Sequence, residues 1–221
     1  MLWVVIPGYN EGSRIAEVIK QAKRYAEHVV VVDDGSKDDT EKVARKQGAI
    51  VFRHIINLGK GAALKTGCDY AVEQGAEQII VIDSDGQHDP KDIPRFLKGL
   101  QRHDIVFGQR RFDKHMPWLL KFGNSAIDFM VKILYGLDLQ DTQCGYRAFT
   151  GKAYKKVRWK ASDYSMESEM IANAGRNNLK YTTVKIATVY TDKYKGTTVL
   201  DGIKIVSNMV LWRMKGAKVK L

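Results

Sequence analysis

Ile79-Ile-Val-Ile-Asp-Ser-Asp-Gly-Gln-His88 is the stretch that decides the fold. Four β-branched residues in a row, with no polar alternation, read as a strand covered on both faces, the mark of a parallel sheet. The strand then breaks at once into carboxylates and a glycine. The same grammar occurs twice upstream. Val29-Val-Val-Val32 runs into Asp33-Asp34-Gly35-Ser36, and Leu2-Trp-Val-Val-Ile6 runs into Pro7-Gly-Tyr-Asn-Glu11.

Working outward, short β-branched runs at 2–6, 28–32, 49–53, 78–82 and 104–108 alternate with helix-length segments at 13–26, 38–47, 60–75 and 90–101. This alternation predicts an α/β fold, a mainly parallel sheet with helices on both faces. Ser13, the Ser36–Thr40 stretch and Asp89-Pro90 mark helix starts. The second half is less regular. Residues 117–135 carry an apolar stripe at helical spacing (Leu119, Phe122, Ala126, Phe129, Ile133), interrupted by Lys121, Asp128 and Lys132. A turn at 136–145, a short apolar stretch and a basic run from Lys152 to Lys160 follow. A helix at 164–175, an alternating strand from Tyr181 to Tyr190 and a helical tail from Val199 to Met214 complete the reading.

The chain has 221 residues, 36 Lys/Arg against 25 Asp/Glu and a formal net charge of +11. Residues 1–110 hold 16 of each sign and are neutral, so the whole excess sits in 111–221. With 44% apolar residues, a packed core rather than disorder is expected. The expected organisation is a single domain over 1–221. Residues 1–110 form its nucleotide-binding half, 111–200 its acceptor half and 201–221 a basic amphipathic tail. No apolar run of about 18 residues occurs, so no spanning helix is expected. Cys68 and Cys144 are isolated and read as buried thiols of a reducing compartment. The expected location is cytoplasmic, peripheral on a membrane surface.

In an open parallel sheet, ligands bind beyond the carboxyl ends of the strands. Carboxylates gathered on that rim repel one another unless cations join them, which points to a divalent metal and a phosphorylated ligand. Asp83 and Asp85, on alternate residues, are placed to hold Mg²⁺ or Mn²⁺, with Gln87 as a third oxygen. An acidic residue after Val32 is placed to accept from a base or a ribose hydroxyl. Asn57-Leu-Gly-Lys-Gly61 reads as a turn whose glycines admit a phosphate and whose Lys60 supplies charge. No Walker A and no G-x-G-x-x-G follows a strand. One rival reading makes Lys152–Lys160, with Tyr154 and Trp159 interleaved, a nucleic-acid patch; it leaves the acidic rim unexplained, and no nucleic-acid partner is expected.

As an ordered set, residues 7–11, 31–36, 57–61 and 83–88 resemble the inverting glycosyltransferases of family 2, which have the GT-A fold. Gly108-Gln-Arg-Arg111 and Asp141-Thr-Gln-Cys-Gly-Tyr-Arg147 resemble the polyprenyl-phosphate (dolichyl-phosphate) hexosyltransferases, most closely the glucosyltransferase branch. The resemblance implies a nucleotide-sugar donor, with UDP-glucose ahead of GDP-mannose, and a polyprenyl-phosphate acceptor. It leaves room for a saccharide acceptor and for a membrane-spanning partner. It places Pro7, Tyr9, Asn10, Glu11, Asp33, Asp34, Lys60, Asp83 and Ser84 around the nucleotide, with Asp34 reading the base. Asp83, Asp85 and Gln87 match the metal site. Arg110 and Arg147 match positions near the phosphates. Glu167 and Glu169, in Met166-Glu-Ser-Glu-Met170, face the acceptor. Glu167 or Asp141 would be the base for a saccharide acceptor. The basic half is expected to rest on an anionic membrane.

Overall fold

The computed structural model describes residues 1–110, 118–187 and 206–213, with side chains of 118–124 left aside. Seven strands form one sheet: β1 (Leu2–Gly8), β2 (His28–Asp33), β3 (Ile50–Arg53), β4 (Gln78–Val81), β5 (Ile105–Arg110), β6 (Arg147–Thr150) and β7 (Tyr181–Ile186). Their order is β3-β2-β1-β4-β6-β5-β7. β6 alone among them runs antiparallel, wedged between β4 and β5. The sheet is thus mainly parallel, as the alternation predicted.

Strand periodicity divides the core in two. Leu2, Val4 and Ile6 face one layer, with Ile15, Val18 and Ile19 of α1 (Ile15–Ala22) and Ile93, Phe96 and Leu100 of α4 (Ile93–Leu100). Ala44 of α2 (Thr40–Lys46) joins them. Trp3, Val5, Val30 and Val32 face the other, against Ala63, Leu64, Cys68 and Ala71 of α3 (Lys60–Glu73). That second layer also holds α5 (Trp118–Tyr135), α6 (Gly151–Val157) and α7 (Met166–Arg176). Burial on both faces of β1, β2 and β4 explains their unbroken Val/Ile runs. Gly67 fits this packing, since a Cβ there would stand 2.5 Å from Val5 Cγ1.

Two elements depart from the sequence reading. The short apolar stretch before Lys152 is a strand, β6. The basic run is α6 and the segment just after it, and its aromatic residues, Tyr154 and Trp159, are buried. Trp159 Nε1–H donates to Gly61 O at 2.8 Å. These rings pack the core and are not free to stack on bases. On α5, Ile127, Val131 and Tyr135 are buried, whereas Phe129 and Ile133 are more than half exposed. Ser13 caps nothing: α1 starts at Ile15 behind Arg14, without a side-chain cap. Asp89 does cap, accepting from Lys91 N–H. Among the described residues, no helix is long and apolar enough to cross a membrane. The end of the expected strand (188–190) and half of the expected helical tail (199–205 and 214) lie outside the described residues.

Candidate active site

The loops after β1 and β2 are built as one unit. Asn10 takes a left-handed φ of 56°, which asparagine tolerates. Its N–H donates to Ser36 Oγ at 2.9 Å, and its Oδ1 accepts from Lys37 N–H at 2.8 Å. Glu11 N–H donates to Thr40 Oγ1. Pro7 is buried in β1, while Tyr9 turns 43% of its surface outward beside it. Asn10 therefore braces two loops through both its backbone and its side chain.

Asp33 and Asp34 end β2 fully buried or nearly so. Asp33 Oδ1 accepts from Ser36 N–H, and Oδ2 lies 3.2 Å from the Arg53 guanidinium. Asp34 fastens the next turn. Oδ1 accepts from Leu58 N–H at 2.9 Å, and Oδ2 accepts from Gly59 N–H at 2.7 Å. His54 Nδ1 stands 2.7 Å from Oδ1, with Nε2 3.1 Å from Thr66 Oγ1. Beside a carboxylate, which only accepts, Nδ1 is the donor. Asp34 thus holds the 54–59 turn in place, a role that its motif did not indicate.

The centre of the rim is an ion triad. Lys60, the first residue of α3, places Nζ 2.7 Å from Asp83 Oδ1 and 3.1 Å from Glu167 Oε1. Burial works against the Lys60 ammonium, but these two carboxylates outweigh it and hold its pKa above the usual lysine value. Burial would push Asp83 up, yet Lys60 beside it holds the carboxyl down at about 2. Glu167 is 2% exposed, and its Oε2 is buried with no hydrogen-bond partner. His88 lies beneath, Nδ1 3.6 Å from Asp83 Oδ2 and likewise without a hydrogen-bond partner. Burial disfavours the charged imidazole and lowers the His88 pKa. Above the triad is Gly145, where a Cβ would stand 2.5 Å from Asp83 Oδ2 and 2.8 Å from Lys60 Nζ. Ser84 is buried. Asp85 Oδ1 accepts from the backbone N–H of Gln87 at 2.9 Å, so Gln87 shapes the turn through its main chain.

Arg110, at the end of β5, grips Asp141. Nε donates to Oδ2 at 2.8 Å, Nη2 donates to Oδ1 at 2.7 Å, and the backbone N–H also reaches Oδ2. Arg110 is near enough to Asp83 to help keep its carboxyl ionised. Asp128 of α5 accepts from Asp141 N–H, Thr142 N–H and Thr142 Oγ1, tying this loop to the helix.

Three sequence expectations change. Arg147 does not reach the rim: it is 1% exposed, and its guanidinium donates to the carbonyls of Cys144, Thr142 and Glu167 at 2.7–3.0 Å. It clamps the Asp141–Gly145 loop to the start of α7, with Phe107 under its plane. Glu169 also turns inward, its Oε2 accepting from Lys160 and Ala161 N–H. Gly59 and Gly61 admit protein rather than ligand. A Cβ on Gly61 would stand 2.5 Å from Ala161 O, and one on Gly59 would collide with Ser162 O. His88 and Gly145 belong to the site although only their motifs, not their roles, were marked. The signal for Gly145 lies in its approach to Asp83 and Lys60, far along the chain, which spacing does not reveal.

Among the described residues, no three His, Cys, Asp or Glu side chains form a ready metal cage. The donor set still fits the expected cation. Mg²⁺ or Mn²⁺ bound with a diphosphate needs only one or two protein carboxylates, and Asp83 and Asp85 supply two hard ones. The buried, unpartnered Nδ1 of His88 beside Asp83 adds to the fit.

Residues 3–158 match the family described as glycosyl transferase family 2. The chain belongs to that family. This glycosyltransferase is 38% identical over 96% of its length, and 92% of the relative's, to an uncharacterized protein of Methanocaldococcus jannaschii. It is 32% identical to the UDP-N-acetylglucosamine–dolichyl-phosphate N-acetylglucosaminyltransferase of Methanococcus voltae, over 97% of this chain and 96% of that one. It is 33% identical over 71% of its length, and 56% of the relative's, to the human dolichyl-phosphate beta-glucosyltransferase. In structure, the glycosyltransferase superposes on glucosyl-3-phosphoglycerate synthase of Mycobacterium tuberculosis, in a complex with Mn²⁺, UDP and glucosyl-3-phosphoglycerate. The TM-score is 0.71 at 18% identity, covering 100% of this chain and 81% of the other. The likeness is one of fold, the GT-A arrangement.

Proposed function

We propose that the protein transfers a sugar from a UDP-linked donor to a polyprenyl phosphate with inversion at the anomeric carbon. The observation that carries this reading is the clustering of Lys60 and Arg110 about Asp83 at the carboxyl edge of the sheet. Two anions, a donor diphosphate and a lipid phosphate, require fixed positive charge before they can approach each other. The relatives named for transfer to dolichyl phosphate support the acceptor class.

A phosphate monoester has a second pKa near 6 and is largely dianionic at pH 7. It attacks without a strong base. That suits a site where Asp141 has both oxygens on Arg110 and Glu167 is paired with Lys60. Asp83 and Asp85 would hold Mg²⁺ or Mn²⁺, which supplies Lewis-acid neutralisation of the leaving diphosphate. Tyr9, Glu11 and Asp34 line the nucleotide side, and Arg110 holds the acceptor phosphate. Arg147 and Glu169 support the site from behind.

The exposed Phe129 and Ile133, one helical turn apart, flank Lys132 on α5 and favour a membrane-facing surface. Tyr135 O–H donates to Met209 O, joining α5 to the helical segment 206–213, where Val210 and Leu211 are also exposed. A donor screen tests the nucleotide. UDP with Mn²⁺ raises the melting temperature and GDP does not; stabilisation by GDP alone contradicts the UDP assignment. The three arms UDP-glucose, UDP-N-acetylglucosamine and GDP-mannose then name the sugar. A β-linked product from an α-linked donor, read by proton NMR, verifies inversion.

A further inference from the structure

We propose that Lys60 is a built-in occupant of the cation position at Asp83, so that divalent metal binds well only once a nucleotide diphosphate has drawn Lys60 away. This rests on the nucleotide-sugar reading above and adds an order of binding to it. A metal on Asp83 needs the carboxylate against which Lys60 Nζ lies at 2.7 Å. An ammonium and a divalent cation repel at such range, so the two compete for one place. Lys60 is held there by a second carboxylate, Glu167, at 3.1 Å. Glu167 has a further buried oxygen without a hydrogen-bond partner, and it comes from α7, more than 100 residues along the chain. The loop that carries Gly145 lies against Asp83 and Lys60.

Lys60 also has somewhere to go. Its side chain has four rotatable bonds, and the exposed ring of Tyr164 lies 5.7 Å from Nζ. Phosphate oxygens offer the ammonium a new anionic partner, and they bring ligands that a metal on Asp83 and Asp85 can share. With Lys60 parked in most molecules, the apparent metal affinity falls by the fraction that is unparked. By linkage, metal must then tighten nucleotide as much as nucleotide tightens metal. Glu167 is the positioning residue in this scheme; it acts through Lys60 and does not touch the sugar.

The test is Mn²⁺ binding, read as loss of the free-ion electron paramagnetic resonance signal, with the full chain. Wild type, Lys60→Met and Glu167→Gln are each measured with Mn²⁺ alone and with Mn²⁺ plus UDP. Lys60→Met should bind Mn²⁺ alone about tenfold or more tighter than wild type, a common size for coupling between sites. Glu167→Gln should shift the same way by less. UDP should tighten Mn²⁺ in wild type by a larger factor than in Lys60→Met, where only the shared phosphate ligands act. Equal affinity for Mn²⁺ alone in wild type and Lys60→Met overturns the proposal, as does absence of Mn²⁺ binding by both. Where Lys60→Met does not fold, Glu167→Gln carries the same comparison. Failure of UDP to bind any of the proteins contradicts the nucleotide reading instead, and the Mn²⁺-alone arm still decides the role of Lys60.

Discussion

At Gly145 a single methyl group would press on Asp83 and Lys60 together. Gly145→Ala should therefore cut turnover by about 100-fold, the penalty for displacing a reacting group by roughly 1 Å. The melting temperature should change little, because the methyl displaces side chains at a partly open rim. Steady-state rates beside a thermal melt check this. Arg147 calls for the opposite outcome. Its three backbone acceptors are buried, and Arg147→Lys leaves at least one of them unmatched. We expect a loss of about 2–4 kcal/mol by urea unfolding. The KM for a phosphate acceptor should stay near wild type at a temperature where the variant is folded. A large rise in KM with unchanged stability would return Arg147 to the rim.

Between elements, the contacts that build the site join distant parts of the chain. α3 meets the 159–163 segment through Trp159 Nε1–H on Gly61 O and through the side-chain-free faces of Gly59 and Gly61. Trp159→Phe removes that donor and leaves a buried carbonyl. It should cost about 1–3 kcal/mol and lower activity by letting Lys60 drift, with denaturant midpoint and turnover falling together. Such pairings also mark how far the sequence could be read. Val29–Val32 and Ile79–Ile82 announce buried strands ending in carboxylates, since local periodicity and strand burial are one fact. The place of Asp83 just past the end of β4 was legible for the same reason. β6 was not, because four residues between a turn and a helix carry too little period. The aims of Arg147 and Glu169 were not legible either. A buried guanidinium on carbonyls and one on phosphate look alike in a motif, and only the course of β6 between β4 and β5 separates them.

For the whole molecule, three carboxylates at the rim are each matched by a cation: Arg53 at Asp33, Lys60 at Asp83 and Arg110 at Asp141. Away from the rim, Asp69 receives Arg158 and Tyr154 across 85 to 89 residues of chain. Burial raises the Asp69 pKa, but these hydrogen bonds outweigh it and leave the value lowered. Asp83 is lowered to about 2. Folded-state values below the ordinary 3.8 stabilise the protein fully above that pH, and the stabilisation is lost as pH falls through the folded-state values. Stability should thus drop between about pH 4 and pH 2, and Asp69→Asn should flatten part of that slope in urea titrations. The +11 of the chain is all in its second half, and we propose that this half faces an anionic surface. Binding to anionic vesicles should weaken as salt rises, and flotation checks it. The central claim is sugar transfer to a lipid phosphate at the Asp83 rim. It is tested most directly by incubating radiolabelled UDP-sugars and a divalent metal with polyprenyl phosphate or with a saccharide, for wild type and Asp83→Asn. The account predicts label in the organic phase with the lipid acceptor, lost in the variant. Label carried to the saccharide alone, or lipid labelling unchanged by Asp83→Asn, would contradict it.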